Sequence, residues 1–211
     1  MNTQHLLIDG PAGKIEVIAE HPAHVRGIAL VAHPHPLGGG NNSNKVVHTL
    51  AHAFVSLGYD TWRPNFRGVG QSEGAHDEGE GESEDLLAVL AAARRGQEHL
   101  PLVLAGFSFG AYCQTRVARV LAERGQAVER MVLVGTAAGF VEGTRHYDTA
   151  AVPANTLVIH GAADVTVPLA NVLAWAEPLD LPVVVIPGAD HFFHRRLHLI
   201  RDIVTRTWSV P

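Results

Sequence analysis

The apolar run Leu102-Val103-Leu104-Ala105 leads without a break into Gly106-Phe107-Ser108-Phe109-Gly110, and a helical pattern follows from Ala111 to Arg124. A strand that turns into a helix over so few residues leaves the central residue on a sharp corner. Glycines two positions to either side let the chain pass close to itself there. The serine is then held with its Oγ above the end of a sheet, where it can act as a nucleophile. A turn serine with no chemistry would satisfy the glycines alone, but it would not call for a buried strand before and a helix after.

Similar apolar runs recur at Gly27 to Ala32, Met131 to Val134, Leu157 to His160 and Val183 to Ile186. Runs this short and this continuously apolar suit strands buried on both faces, as in a parallel sheet. Helical patterns lie between or after them, at Val46 to Leu57, Asp85 to Arg95, Leu169 to Trp175 and His194 to Thr207. The alternation predicts an α/β fold with right-handed crossovers. His5 to Ile8 and Lys14 to Ala19, separated by Asp9-Gly10-Pro11-Ala12-Gly13, read as an antiparallel hairpin at one edge. No repeat or linker divides the chain, so a single domain over residues 1–211 is expected.

Composition narrows the function classes. The chain is 46% hydrophobic with a net charge of −5, too apolar and too weakly charged to stay disordered. It has no basic stripe for nucleic acid, no apolar run of membrane-spanning length and no signal-peptide pattern, so a cytoplasmic protein without a membrane is expected. The lone cysteine, Cys113, reads as a small core residue in a reducing compartment. Seven of the 21 acids lie between Glu73 and Asp85, most of them in an irregular stretch from Arg63 to Gly81; the run is read as a solvated face leading into a helix N-terminus, since it lacks the ligand order of a calcium loop. Fourteen histidines raise a metal question, at His33/His35 and at His191/His194/His198. Flanking prolines explain the first pair as a rigid turn, and His194 and His198 are read as surface or edge residues, so neither metal nor cofactor is expected.

A serine hydroxyl needs a base, and the base needs a carboxylate to orient it. Asp164 follows the run Leu157 to His160, and His191 follows Val183 to Ile186, each just past a strand end where an open α/β sheet collects ligands. The order Ser108, Asp164, His191 is the one this topology requires. Asp190 adjoins His191, but sequence neighbours point apart and it is a poor buttress. The developing oxyanion needs two N–H donors. One comes from Phe109, after the nucleophile, and the other from the loop His33-Pro34-His35-Pro36-Leu37-Gly38-Gly39-Gly40. Pro34 and Pro36 have no N–H, leaving His35, preferred by position, or Leu37. Asn42 or Ser43 can cap the helix that follows.

Taken together, these segments resemble the α/β-hydrolase superfamily over nearly the whole chain. Gly106 to Gly110, His160 to Pro168 and Gly188 to Phe193 look like its nucleophile, acid and base segments, and Arg63 to Gly74 looks like its loop after the fourth strand. His33 to Gly39 is similar to small, cap-less bacterial hydrolases related to dienelactone hydrolases. Those enzymes carry cysteine at the elbow where this chain has Ser108, so the resemblance implies a fold and a reaction class without lactone specificity. The implied fold is a three-layer α/β-hydrolase, mostly parallel, with no cap domain. The implied activity is a serine hydrolase cleaving carboxylic esters, with a small-molecule acyl substrate and water as partners; a homodimer is left open. Thioesterase, peptidase or acyltransferase chemistry on the same residues, or a non-catalytic binding protein on the same fold, are the competing readings. Only about twenty residues separate the strand ending near Val134 from the one starting near Leu157, where larger relatives insert a cap. An open site is expected, covered at most by loops near Leu37, Phe66 and Phe140.

Overall fold

In a computed structural model, which describes residues 2–141 and 145–208, ten strands and five α-helices alternate along the chain. They run β1(Asn2–Gly10), β2(Gly13–His21), β3(Gly27–Ala32), α1(Lys45–Ser56), β4(Tyr59–Pro64), α2(Glu80–Ala93), β5(Leu102–Phe107), α3(Phe109–Glu123) and β6(Arg130–Val134). Then come the short pair β7(Gly139–Val141) and β8(Arg145–Tyr147), followed by β9(Leu157–Gly161), α4(Leu169–Ala176), β10(Val183–Ile186) and α5(Leu197–Trp208). Eight strands form one sheet in the order β1-β2-β4-β3-β5-β6-β9-β10. From β4 to β10 every pairing is parallel; β1 and β2 form the antiparallel hairpin at the edge. This is the mostly parallel, cap-less architecture expected from the sequence.

Two apolar layers cover the sheet, one on each face. Leu50 and Phe54 of α1 and Ile200 and Val204 of α5 pack on one side with Val103, Ala105 and Phe107. Leu86 and Leu90 of α2 and Cys113, Val117 and Leu121 of α3 pack on the other with Leu102 and Leu104. Phe109, Cys113, Val117 and Leu121 recur every fourth residue, so α3 lays one continuous stripe on β5. Alternate residues of β5 point to opposite layers, which explains why its sequence is apolar throughout.

Polar residues in one strand are accommodated by pairing, and two local expectations differ from the structure. The strand β4 is fully buried although Asp60, Thr61 and Arg63 are polar, because each is paired: Asp60 with His21 and the Trp62 indole, Arg63 with Glu20 at 2.9 Å. Helix α1 is capped by Asn44, whose side chain accepts from the Val46 N–H at 2.9 Å, rather than by Asn42 or Ser43; Asn42 is instead held to Asn65. The acid run is only partly a solvated face. Glu82 is 0% exposed and accepts from His76, Asp77 and Gly79, and Asp85 is buried against Arg67 through two bonds of 2.8 and 2.9 Å. Among the described residues no helix is long and apolar enough to cross a membrane.

Candidate active site

The end of β5 and the start of α3 hold Ser108 at φ 56° and ψ −118°, a conformation that costs a non-glycine residue about 1–3 kcal/mol. The corner is tight because a Cβ on Gly106 would lie 2.5 Å from the Gly110 carbonyl, and one on Gly110 would lie 2.4 Å from the His33 oxygen. The glycines are therefore required by close approach of backbone to backbone. Ser108 N–H donates to the Val134 oxygen at 2.9 Å, tying the corner to β6.

The loops after β9 and β10 bring Asp164 and His191 to this corner. His191 Nε2 lies 3.0 Å from Ser108 Oγ, and His191 Nδ1 lies 2.7 Å from Asp164 Oδ2. The other oxygen of Asp164 accepts from the N–H groups of Thr166 and Val167 at 3.0 and 2.8 Å. With the carboxylate as acceptor, Nδ1 carries the imidazole proton, and Nε2 presents a lone pair to the serine hydroxyl. Phe107 packs on the His191 ring with centroids 4.9 Å apart, which helps fix its plane. Asp190 turns away and binds His194.

A second histidine reaches the same aspartate. Fully buried His160 donates from Nε2 to the Val167 oxygen at 3.0 Å, with Asp164 Oδ2 at 3.5 Å. Burial, opposed by the Asp164 charge, pushes its pKa down, so it stays a neutral donor beside the carboxylate. Sequence reasoning treated His160 only as the end of a strand. Its position four residues before Asp164 was the available signal.

The loop after β3 supplies the facing wall. Phe109 is the first residue of α3, so its N–H has no partner within the helix. Leu37 N–H donates to His35 Nδ1 at 3.2 Å, and the N–H groups of Gly38 and Gly40 both donate to the His35 oxygen. Of the two donors weighed from sequence, the Leu37 N–H is thus engaged within its own turn, while the His35 ring lies beside that of Phe109 with centroids 4.9 Å apart. A cavity of about 210 Å³ opens over Ser108, bounded by His35, Phe109, Val141, Arg145, Tyr147 and Phe192 among others. Leu37 and Phe140 stand exposed at its surroundings, but Phe66 is buried against His33 and covers nothing. Cys113 lies fully buried behind the corner, where burial raises its thiol pKa and leaves it a packing residue.

His33 anchors the loop from beneath. Its Nδ1–H donates to the Pro34 oxygen at 2.7 Å, and the Phe66 N–H donates to its Nε2 at 2.9 Å. Complete burial pushes its pKa down to about 3. The unfolded chain keeps the ordinary value near 6.5, so below that pH the unfolded state binds a proton that the folded state refuses. Stability from this group is complete above about pH 6.5 and is lost at up to ~1.4 kcal/mol per pH unit as pH falls toward 3. His33→Gln keeps an acceptor for Phe66 and removes the titration. Melting temperatures between pH 7 and pH 4 should fall less steeply in the variant, His160 supplying part of the slope that remains; identical slopes would contradict the assignment.

Comparison with known proteins identifies the family and the fold. The family model described as serine aminopeptidase, S33, matches residues 23–144, more than half of the chain. An uncharacterized protein of Rickettsia prowazekii is 32% identical over 89% of this chain and 81% of its own length. An α/β serine hydrolase homologue from Coxiella burnetii is 40% identical, with a TM-score of 0.84 over 99% of both chains. A serine hydrolase without lid from Xanthomonas campestris is 35% identical, with a TM-score of 0.86 over 100% of this chain and 98% of that one. The chain is a member of this family, the α/β serine hydrolases, and of its lid-less form.

Proposed function

We propose that the protein hydrolyses carboxylic esters of small or accessible acyl groups through an acyl-enzyme on Ser108. The observation that carries this is the relay from Asp164 to His191 to Ser108, at 2.7 and 3.0 Å, ending on a serine raised at an open sheet edge. His191 takes the hydroxyl proton as Oγ bonds to the ester carbon. The N–H groups of Phe109 and His35 stabilise the oxyanion, and Asp164 stabilises the imidazolium. The carbon–oxygen bond to the leaving group then breaks as His191 gives its proton to the departing alcohol. Water, deprotonated by His191, attacks the acyl-serine; the acid leaves and the hydroxyl is restored.

Ester rather than amino-terminal peptide cleavage is favoured by the cavity over Ser108. Its described lining includes Arg145 and no carboxylate that could hold a substrate α-ammonium group. A fluorophosphonate should label the folded protein at Ser108 alone, and p-nitrophenyl acetate should be turned over faster than the matching anilide. Absence of an adduct, or a Ser108→Ala protein that hydrolyses the acetate at the wild-type rate, would sink this reading.

A further inference from the structure

The 210 Å³ cavity continues past Phe109, Arg145 and Tyr147 into a groove of about 850 Å³ that the ester reading leaves without a role. One side of it is aromatic. Phe109, Tyr112 and Tyr147 pack together with ring centroids 5.0 to 6.1 Å apart, and His35 and His76 extend the layer at 4.6 Å from one another. His76 is built as half of a pair. Its Nδ1 lies 2.7 Å from Oε1 of Glu82, a side chain with no exposed surface that also accepts from the N–H groups of Asp77 and Gly79. Since three donors converge on that carboxylate, the His76 proton sits on Nδ1. Among the described residues the Nε2 lone pair has no hydrogen-bond partner, and it is not sealed from solvent.

We infer that this groove is a subsite for an aromatic portion of the substrate carrying a hydroxyl group, whose proton His76 Nε2 accepts. The inference rests on Ser108 being the nucleophile, because the groove adjoins that residue through Phe109 and His35. Aromatic rings favour an aryl group packed on their faces or edges. An acceptor held in one tautomer by a buried carboxylate selects a ligand that brings a donor. A carboxylate beside Nε2 would meet a lone pair and the Glu78 and Glu80 side chains, set against the single Arg145 guanidinium where the groove joins the cavity over Ser108.

His76→Asn tests the assignment, because the asparagine amide can still donate to Glu82 while nothing replaces Nε2. In the wild type, methyl 3-(4-hydroxyphenyl)propionate should be cleaved with kcat/KM about tenfold above methyl 3-phenylpropionate, the size of one good hydrogen bond. The variant should lose that ratio and keep its melting temperature. Binding separates the subsite from the chemistry: the Ser108→Ala protein should bind 3-(4-hydroxyphenyl)propanamide about tenfold more tightly than 3-phenylpropanamide by calorimetry. Equal affinities, a preference that survives in His76→Asn/Ser108→Ala, or tighter binding of the 4-carboxyphenyl analogue would overturn the inference. A binding preference without any ester turnover would sink the ester reading and leave the subsite standing.

Discussion

Asp164→Asn should lower kcat for a short ester about 10⁴-fold while KM changes little, because the substitution reverses the proton on His191 without moving the ring. The orientation of the new amide is dictated by its surroundings. One Asp164 oxygen accepts from the N–H groups of Thr166 and Val167, and only an oxygen can fill that position. The amide nitrogen must then occupy the site facing His191 Nδ1, now 2.7 Å from a carboxylate oxygen. Facing an N–H donor, Nδ1 gives up its proton and Nε2 acquires one. The imidazole then donates to Ser108 Oγ and has no lone pair with which to activate it. The amide nitrogen also lies close to His160 Nε2, which in the wild type stands 3.5 Å from the carboxylate while donating to the Val167 oxygen. Steady-state rates with p-nitrophenyl acetate measure the effect, and an unchanged melting temperature shows that the fold is retained. A fall of less than tenfold would mean that Asp164 does not set the tautomer, and the relay would need another acid.

This aspartate was legible before any coordinates, and so were Ser108 and His191, for a shared physical reason. Each sits where a continuous apolar strand ends, and a parallel sheet delivers all such ends to one rim. Position along the chain therefore translated into position in space. Residues whose environment is set by distant partners were not legible in this way. Glu82 and Asp85 belong to an acid run that looks solvated, and only the chain's return to His76 and Arg67 makes them buried. The polar letters of β4 hid a central strand because Glu20 and His21, some forty residues earlier, satisfy them. The wall of the site was legible in part: the prolines excluded two donors, but nothing in the sequence signals that the Leu37 N–H is engaged by His35 Nδ1. The burial of Phe66 was not legible, because an aromatic residue in a glycine-rich loop gives no local sign of whether it faces the site or the core.

Gly110→Val should cost about 3–5 kcal/mol of stability and lower the melting temperature by about 10 °C or more. A Cβ at this position would stand 2.4 Å from the His33 oxygen, 2.5 Å from the Ala32 oxygen and 2.6 Å from the Ala32 carbon. All three are backbone atoms of a central strand and its first loop residue, fixed on one side by pairing with β5 and on the other by the bonds of His33 to Pro34 and Phe66. None can swing aside as the tip of a flexible side chain can, so either α3 lifts off the sheet or β3 shifts. Each movement separates Phe109 from His35, and turnover should fall together with stability. Gly110→Ala, which adds the Cβ without its methyls, should show a smaller loss in the same direction. Gly38→Ala is the control: it lies in the same loop region, but its Cβ would meet nothing within 4 Å, and thermal melts should show little change. If Gly110→Val melted like Gly38→Ala, contact between β3 and the start of α3 could not be what holds the serine corner, and the requirement for glycine would have to come from the turn alone.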